Sequence, residues 1–148
     1  MSSPKLARLV PQPDGTQPAD VMHISSFVLA RKGAQILLAR RVKPERWAGK
    51  WVIPGFIINY GEDPGAAALR VVREQLGTTA SVLKLLDVQS YGSTHWDMCF
   101  VFHADIPGAG KLGADFDKAD YFDLDKLPPE LREDHKEVLD MAKSRKVV

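Results

Sequence analysis

Between residues 21 and 42 two apolar, β-rich runs, VMHISSFVLA and AQILLARRV, are separated by Arg31, Lys32 and Gly33. That is the pattern of a β-hairpin closed by a short glycine-containing turn. KWVIPGFIIN then supplies another extended segment, after which the period lengthens. Asp63 followed by Pro64 marks a helix start, since the carboxylate accepts orphan N–H groups and proline suits the first helical position. The spacing predicts a helix running to about Leu76, with Gly77 as its stop. Gly65, Leu69, Val72 and Leu76 fall on one stripe, read as the packing face, while Val71 lies off it and Arg70 and Glu74 share another face.

SVLKLLDVQSYG and HWDMCFVFHADI read as strands, the second placing Trp96, Met98, Phe100 and Phe102 on one face by strict alternation. A third short run, ADYFDL, precedes Pro128 and Pro129. PELREDHKEVLDMAKSRK is helical by pattern, with Leu131, His135, Val138, Leu139 and Ala142 near one face. Short strands around a central helix, with a second helix at the end, predict an α/β (or α+β) architecture in which a mixed sheet lies between helices.

Residues 1–20 contain four of the ten prolines and little periodicity, and are read as a mobile arm before a single domain spanning 21–148. A chain of 148 residues with 45% hydrophobic content suffices for one core. Twenty Lys and Arg against nineteen Asp and Glu give a net charge of +1, so no global field recruits extended nucleic acid or an anionic membrane, and phosphate recognition must be local. Cys99 stands alone and no Cys/His spacing suggests zinc, which fits a reducing, cytoplasmic setting. No apolar run approaches the ~20 residues needed to span a bilayer.

The chemistry concentrates in GFIINYGEDPGAAALRVVREQLGT, residues 55–78. Counting from Phe56, Glu62, Arg70, Val72, Glu74 and Gly77 fall at offsets that resemble the box of the Nudix hydrolases, G-x5-E-x7-R-E-U-x-E-E-x-G-U, where U is bulky and aliphatic. Four positions depart from it: Phe56 stands for glycine, Val71 and Gln75 for glutamates, and Thr78 for the aliphatic residue. The flanks are similar to the family as well: ILLARR, then WAGKWVIPG entering the box, and ADYFDLDKLP before the closing helix.

The resemblance implies a Nudix-like α/β/α sandwich and hydrolysis of a nucleoside diphosphate linked to another moiety, such as a nucleotide sugar, with Mg²⁺ or Mn²⁺. A diphosphate brings several anionic oxygens together, so cations must neutralise them while a carboxylate orients or activates water. Carried onto this chain, Glu62, Glu74, Gln75 and Gly55 form the metal set, Gln75 through its carbonyl oxygen. Arg70 and Glu74 are the catalytic candidates of the box. His95 and Asp97, which open a strand on the same alternating face as His103, are substitutes for the missing carboxylates, as are Asp115, Asp117 and Asp120 in the later acidic loop. A family branch acting on GDP-mannose also lacks part of the glutamate set and relies on a loop histidine. Arg40 and Arg41, with Lys43, are placed to meet phosphates, and Trp47 and Phe56, with Tyr91, to stack on a base. Two other classes compete: a Nudix-fold module that binds a nucleotide or RNA end without hydrolysis, and an interaction domain with the box as relic. A homodimer is compatible with the sequence, which carries no motif that sets oligomeric state.

Overall fold

The computed structural model describes residues 22–91 and 96–148. The expected arm at 1–20 and the candidate His95 lie outside the described residues. Strand β1 (Met22–Lys32) turns through Gly33 and Ala34 into β2 (Gln35–Arg41), with Lys32 paired to Gln35. Two short strands follow, β3 (Trp51–Val52) and β4 (Gly55–Ile57), then helix α1 (Pro64–Leu76). Strands β5 (Val82–Tyr91), β6 (Trp96–Asp105) and β7 (Phe116–Asp123) lead to helix α2 (Glu133–Ser144).

The seven strands form one mixed sheet of order β3-β2-β1-β6-β5, with β4 also paired to β1 and β7 to β2. β1 runs parallel to β6 from Met22↔Trp96 to Ala30↔Ala104. On its other edge β1 pairs with β2 only at Arg31 and Lys32, then diverges, and β4 takes the vacated edge at Ser25 to Phe27. That splay brings β4 against α1.

Side-chain alternation covers both faces of the sheet. Phe27 and Leu29 of β1 and Cys99 and Val101 of β6 pack with Val138 and Leu139 of α2, whereas Val28, Phe102 and Ala104 pack with Ala68, Val71 and Val72 of α1. The expected mixed sheet between helices is the observed architecture. The alternation read along β6 is incomplete for this reason: Cys99 and Val101 face a second buried layer rather than solvent. Burial pushes the Cys99 thiol up to about 12, so it is an inert core residue.

Helix α1 begins and ends where its signals lie. Asp63 Oδ2 accepts the N–H groups of Gly65 (2.9 Å) and Ala66 (3.2 Å), Pro64 opens the helix, and Gly77 closes it with φ +63°. Its packing face differs from the expected stripe. Ala67, Ala68, Val71, Val72, Gln75 and Leu76 are buried, while Leu69 is 42% exposed. The helix lies across the sheet, where Val71 packs with Val28, Phe102 and Ala104, so its buried arc is broader than one stripe and is rotated to take in Val71. The residue replacing a box glutamate is therefore core.

Candidate functional site

The close approach of β4 to the sheet depends on Gly55. A side-chain Cβ there would sit 2.0 Å from Phe27 Cδ1 and 2.9 Å from Ser26 O, so only glycine fits. From this position Gly55 meets Gln75 on α1 by two hydrogen bonds. Its N–H donates to Gln75 Oε1 (3.2 Å), and its carbonyl accepts from Gln75 Nε2 (2.9 Å).

One turn earlier on α1, Arg70 forks onto Glu62: Nε donates to Oε2 at 2.9 Å and Nη2 to Oε1 at 3.0 Å. The same Nη2 donates to Ile57 O at 3.1 Å, and the guanidinium lies 5.7 Å from the Phe56 ring centroid. The Asn59 N–H adds a bond to Glu62 Oε1. The Arg70 bonds, then that of Asn59, hold the Glu62 carboxyl below its ordinary range, and its pairing with Glu62 holds Arg70 above its own. Both side chains are mostly covered, whereas that of Glu74 is 56% exposed, with Oε2 3.7 Å from Arg70 Nη1.

Beside the box lies a cleft of about 890 Å³. Gly55, Phe56, Ile57 and Gln75 form its box side; Arg41, Trp47, Arg132, His135 and Asp97 are among its other walls. Of the sequence candidates, the structure thus brings Arg41, Trp47, Phe56, Asp97, Gly55 and Gln75 to one cavity, with Asp97 3.5 Å from His23 Nδ1. Arg40 is elsewhere. Its guanidinium makes a two-point bond to Asp117 (3.0 and 2.8 Å) across β2 and β7 and lies over Trp51. Asp120 pairs with Lys118, and His103 Nδ1 bonds Leu29 O at 3.2 Å. Asp115 does reach the cleft.

Sequence reasoning missed Arg132 as a cleft residue and read His135 only as part of a packing stripe. Arg132 is carried there by backbone bonds of Trp51 to Glu130 and Arg132, which tie β3 to the start of α2. Its guanidinium lies 3.9 Å from the Trp47 ring centroid. Arg132 Nε is 2.7 Å from Asp134 Oδ1 without the alignment of a hydrogen bond, and Arg41 Nε is buried with no hydrogen-bond partner among the described residues. Burial lowers the Arg41 guanidinium from its ordinary value, and Arg132 lowers it further. Two guanidiniums with unmet donors in one cleft suit an anionic ligand.

His135 accepts the Ile53 N–H at its Nδ1 (2.9 Å) and packs against Phe27, so its imidazole is neutral. Burial pushes it down to about 3 from the ordinary 6.5. Below about pH 6.5 the unfolded chain protonates this ring and the folded chain does not, so stability must fall with falling pH. A loss of about 2 kcal/mol between about pH 7 and about pH 5 is expected from this group. Denaturant titrations of the protein and of His135→Gln at both pH values check it: the variant should lose that much less.

The box does not fit a preformed divalent site. Glu62 spends its oxygens on Arg70 and Asn59, Gln75 is bonded to Gly55, and Val71 is core. Glu74 is the box carboxylate left open, and the Gly55 carbonyl keeps one lone pair. Among the described residues no group of three or more His, Cys, Asp or Glu is arranged to hold a metal.

A family model described as a NUDIX domain matches residues 21–142. The chain belongs to the Nudix family. This Nudix chain is 32% identical over 117 residues to an ADP-ribose pyrophosphatase of Methanocaldococcus jannaschii, covering 75% of the chain and 67% of that relative. Its fold is similar to the MutT Nudix hydrolase of Burkholderia pseudomallei, with TM-score 0.70, 23% identity, and coverage of 82% of this chain and 98% of that one. The MutT protein of Methanosarcina mazei Go1 gives TM-score 0.70 and 23% identity over 86% and 96% of the two chains. Those likenesses concern the fold. Nudix hydrolases generally use divalent cations, and it is against that expectation that the engaged Glu62 and Gln75 stand out. No helix among the described residues is long and apolar enough to cross a membrane.

Proposed function

We propose that this Nudix chain hydrolyses a nucleoside diphosphate linked to another moiety, with ADP-ribose and nucleotide sugars as the first substrates to test. The observation that carries the reading is a cleft that combines guanidinium groups with aromatic rings and is walled on its box side by Gly55, Phe56 and Gln75, with Arg70 against the Phe56 ring and Glu74 next to Gln75 in sequence. Arg41 and Arg132 offer donors for phosphate oxygens, and Trp47 and Phe56 offer faces for a base. The relative named an ADP-ribose pyrophosphatase supports the same class.

In this reading Arg70 plays two parts. Its fork onto Glu62 fixes the loop before α1, and its remaining Nη1 lies close enough to Glu74 to orient that carboxylate. Glu74 presents its charge to solvent, one residue before the cleft residue Gln75, and in this reading it holds or receives a proton, or neutralises a cation that accompanies the diphosphate. Mg²⁺, or Mn²⁺ in its place, is the cation proposed. It supplies charge neutralisation of the diphosphate when bound. Asp97, paired with His23 in the same cleft, is the second carboxylate within this reading.

The test is incubation with Mg²⁺ and a panel of nucleoside diphosphate derivatives, with products resolved by chromatography. Turnover of one class is the expected result, and the products identify the bond broken. No turnover, combined with a rise in melting temperature on adding one nucleotide, would instead establish a binding module, the reading that Val71 in the core and the engaged Gln75 favour.

A further inference from the structure

We propose that the box of this chain holds no divalent cation by itself, and that Gln75 is a positioning residue that latches β4 to α1 in place of a metal ligand. A cation then reaches Glu74 only together with the diphosphate. The second statement rests on the proposed function; the first does not.

The argument starts from what an amide does that a carboxylate cannot. Gln75 is buried and meets the peptide group of Gly55 from both sides, accepting from its N–H and donating to its carbonyl. Only a side chain with a donor and an acceptor side by side completes both bonds. An ionised carboxylate at this point keeps the first bond and sets negative charge against the Gly55 oxygen. The position requires glycine, because Phe27 and Ser26 leave no space for a Cβ, and pairing with β1 at Ser25 to Phe27 holds the strand in place.

The remaining donors agree. Glu62 is bound at both oxygens and mostly covered, and Val71 is sealed under the sheet among Val28, Ala68 and Phe102. Among the box glutamates that leaves one exposed carboxylate, Glu74; Asp63 beside them caps α1 with its Oδ2. Mg²⁺ gives up water reluctantly, and one or two protein carboxylates suffice to hold it when substrate phosphates complete the shell. A single exposed carboxylate without phosphate is a weak site.

The same geometry gives a substitution that reverses the behaviour. Gln75→Glu adds a second carboxylate one residue from Glu74 while breaking the bond to the Gly55 carbonyl. Its melting temperature should be several degrees below that of the parent in chelator and should recover on adding Mg²⁺ or Mn²⁺, because a cation between the new carboxylate and the Gly55 oxygen removes their repulsion. Gln75→Met removes both hydrogen bonds with little change of volume and should be destabilised alike with or without cation.

The experiment is a titration of free Mn²⁺ by electron paramagnetic resonance, run alongside thermal melts, for the parent, Gln75→Glu and Gln75→Met. In the absence of nucleotide the parent should leave the aqueous Mn²⁺ signal and its own melting temperature unchanged, and Gln75→Glu should bind Mn²⁺ about tenfold or more tightly than the parent. With ADP present, the parent should reduce the free Mn²⁺ signal beyond what ADP alone does. Stoichiometric Mn²⁺ binding by the nucleotide-free parent, or a Gln75→Glu melt that cation does not raise, would overturn the proposal. Should Gln75→Glu fail to fold, the parent titration and the cation-independent loss in Gln75→Met still decide it. None of these readings needs turnover, so an inactive protein would sink the function proposed above and leave standing the statement that the box alone holds no cation and that Gln75 is a latch.

Discussion

Glu74→Gln is expected to lower kcat/KM by about 10²-fold or more while leaving the melting temperature nearly unchanged. The structure separates the two effects. Glu74 is more than half exposed, and among the described residues its one ion-pair contact is to Arg70 at 3.7 Å, a surface pair within one helix. Such pairs contribute at most a few tenths of a kcal/mol to stability. Its proposed role is wholly chemical, since it is the box glutamate left open to solvent. Glutamine preserves shape and loses charge, so the defect should appear mainly in kcat. Steady-state kinetics on the substrate found in the panel, with a melt of the same preparation, check this. A variant that retains activity would remove Glu74 from the reaction and shift the role to Asp97 or to the segment containing His95.

The second large effect is structural. Gly77→Ala is expected to destabilise the protein by about 3 kcal/mol or more, from the sum of left-handed strain and an impossible contact. Gly77 has φ +63°, and a Cβ there would lie 2.0 Å from Lys111 O and 2.7 Å from its C and N. Backbone, not a flexible side chain, fills the space. Gly110 donates to Leu76 O and Gly113 to Gln75 O, so the 110–113 segment is bound to the end of α1 and cannot step aside. Denaturant unfolding of the variant checks the magnitude. Since Gln75 lies two residues away, the variant should also loosen the Gly55 contact and lower activity beyond what the loss of folded protein explains.

The local grammar of α1 was fully legible. Asp63, Pro64 and Gly77 act through bonds and dihedrals within a few residues, and the helix lies between them as expected. Which side it buries was less so. The stripe through Leu69 and the face that carries Val71 both offer apolar residues, and only the docking of α1 on Val28, Phe102 and Ala104 of the sheet decides for Val71. The hairpin and the later strands followed from alternation. The pairing of β4 with β1 did not, because three residues ending in exposed Phe56 and Ile57 carry little pattern.

The candidate site divides in the same way. Spacing along one helix placed Arg70 and Glu74 together, and they are together. It could not show that Arg70 would take Glu62 as its main partner, eight residues away and across a turn. Arg40 and Arg41 are neighbours in sequence and point apart on β2, one to Asp117 and one to the cleft, so a shared phosphate role was not available to both. Gln75 and Gly55 meet 20 residues apart, and Arg132 reaches Trp47 across some 85 residues. Contacts of that span belong to topology, which residue spacing does not encode.

The stack of Arg132 on Trp47 has an optical consequence. A guanidinium 3.9 Å from an indole ring in a solvent-accessible cleft sets both the polarity and the charge that the excited ring experiences. A ligand that draws Arg132 away, or slides its own ring against Trp47, changes that emission directly. Trp51 is sealed against Phe122, so in a Trp96→Phe background the emission that responds to the cleft is that of Trp47. The protein thus carries its own fluorophore at the mouth of the cavity, and occupancy can be followed in real time without a label.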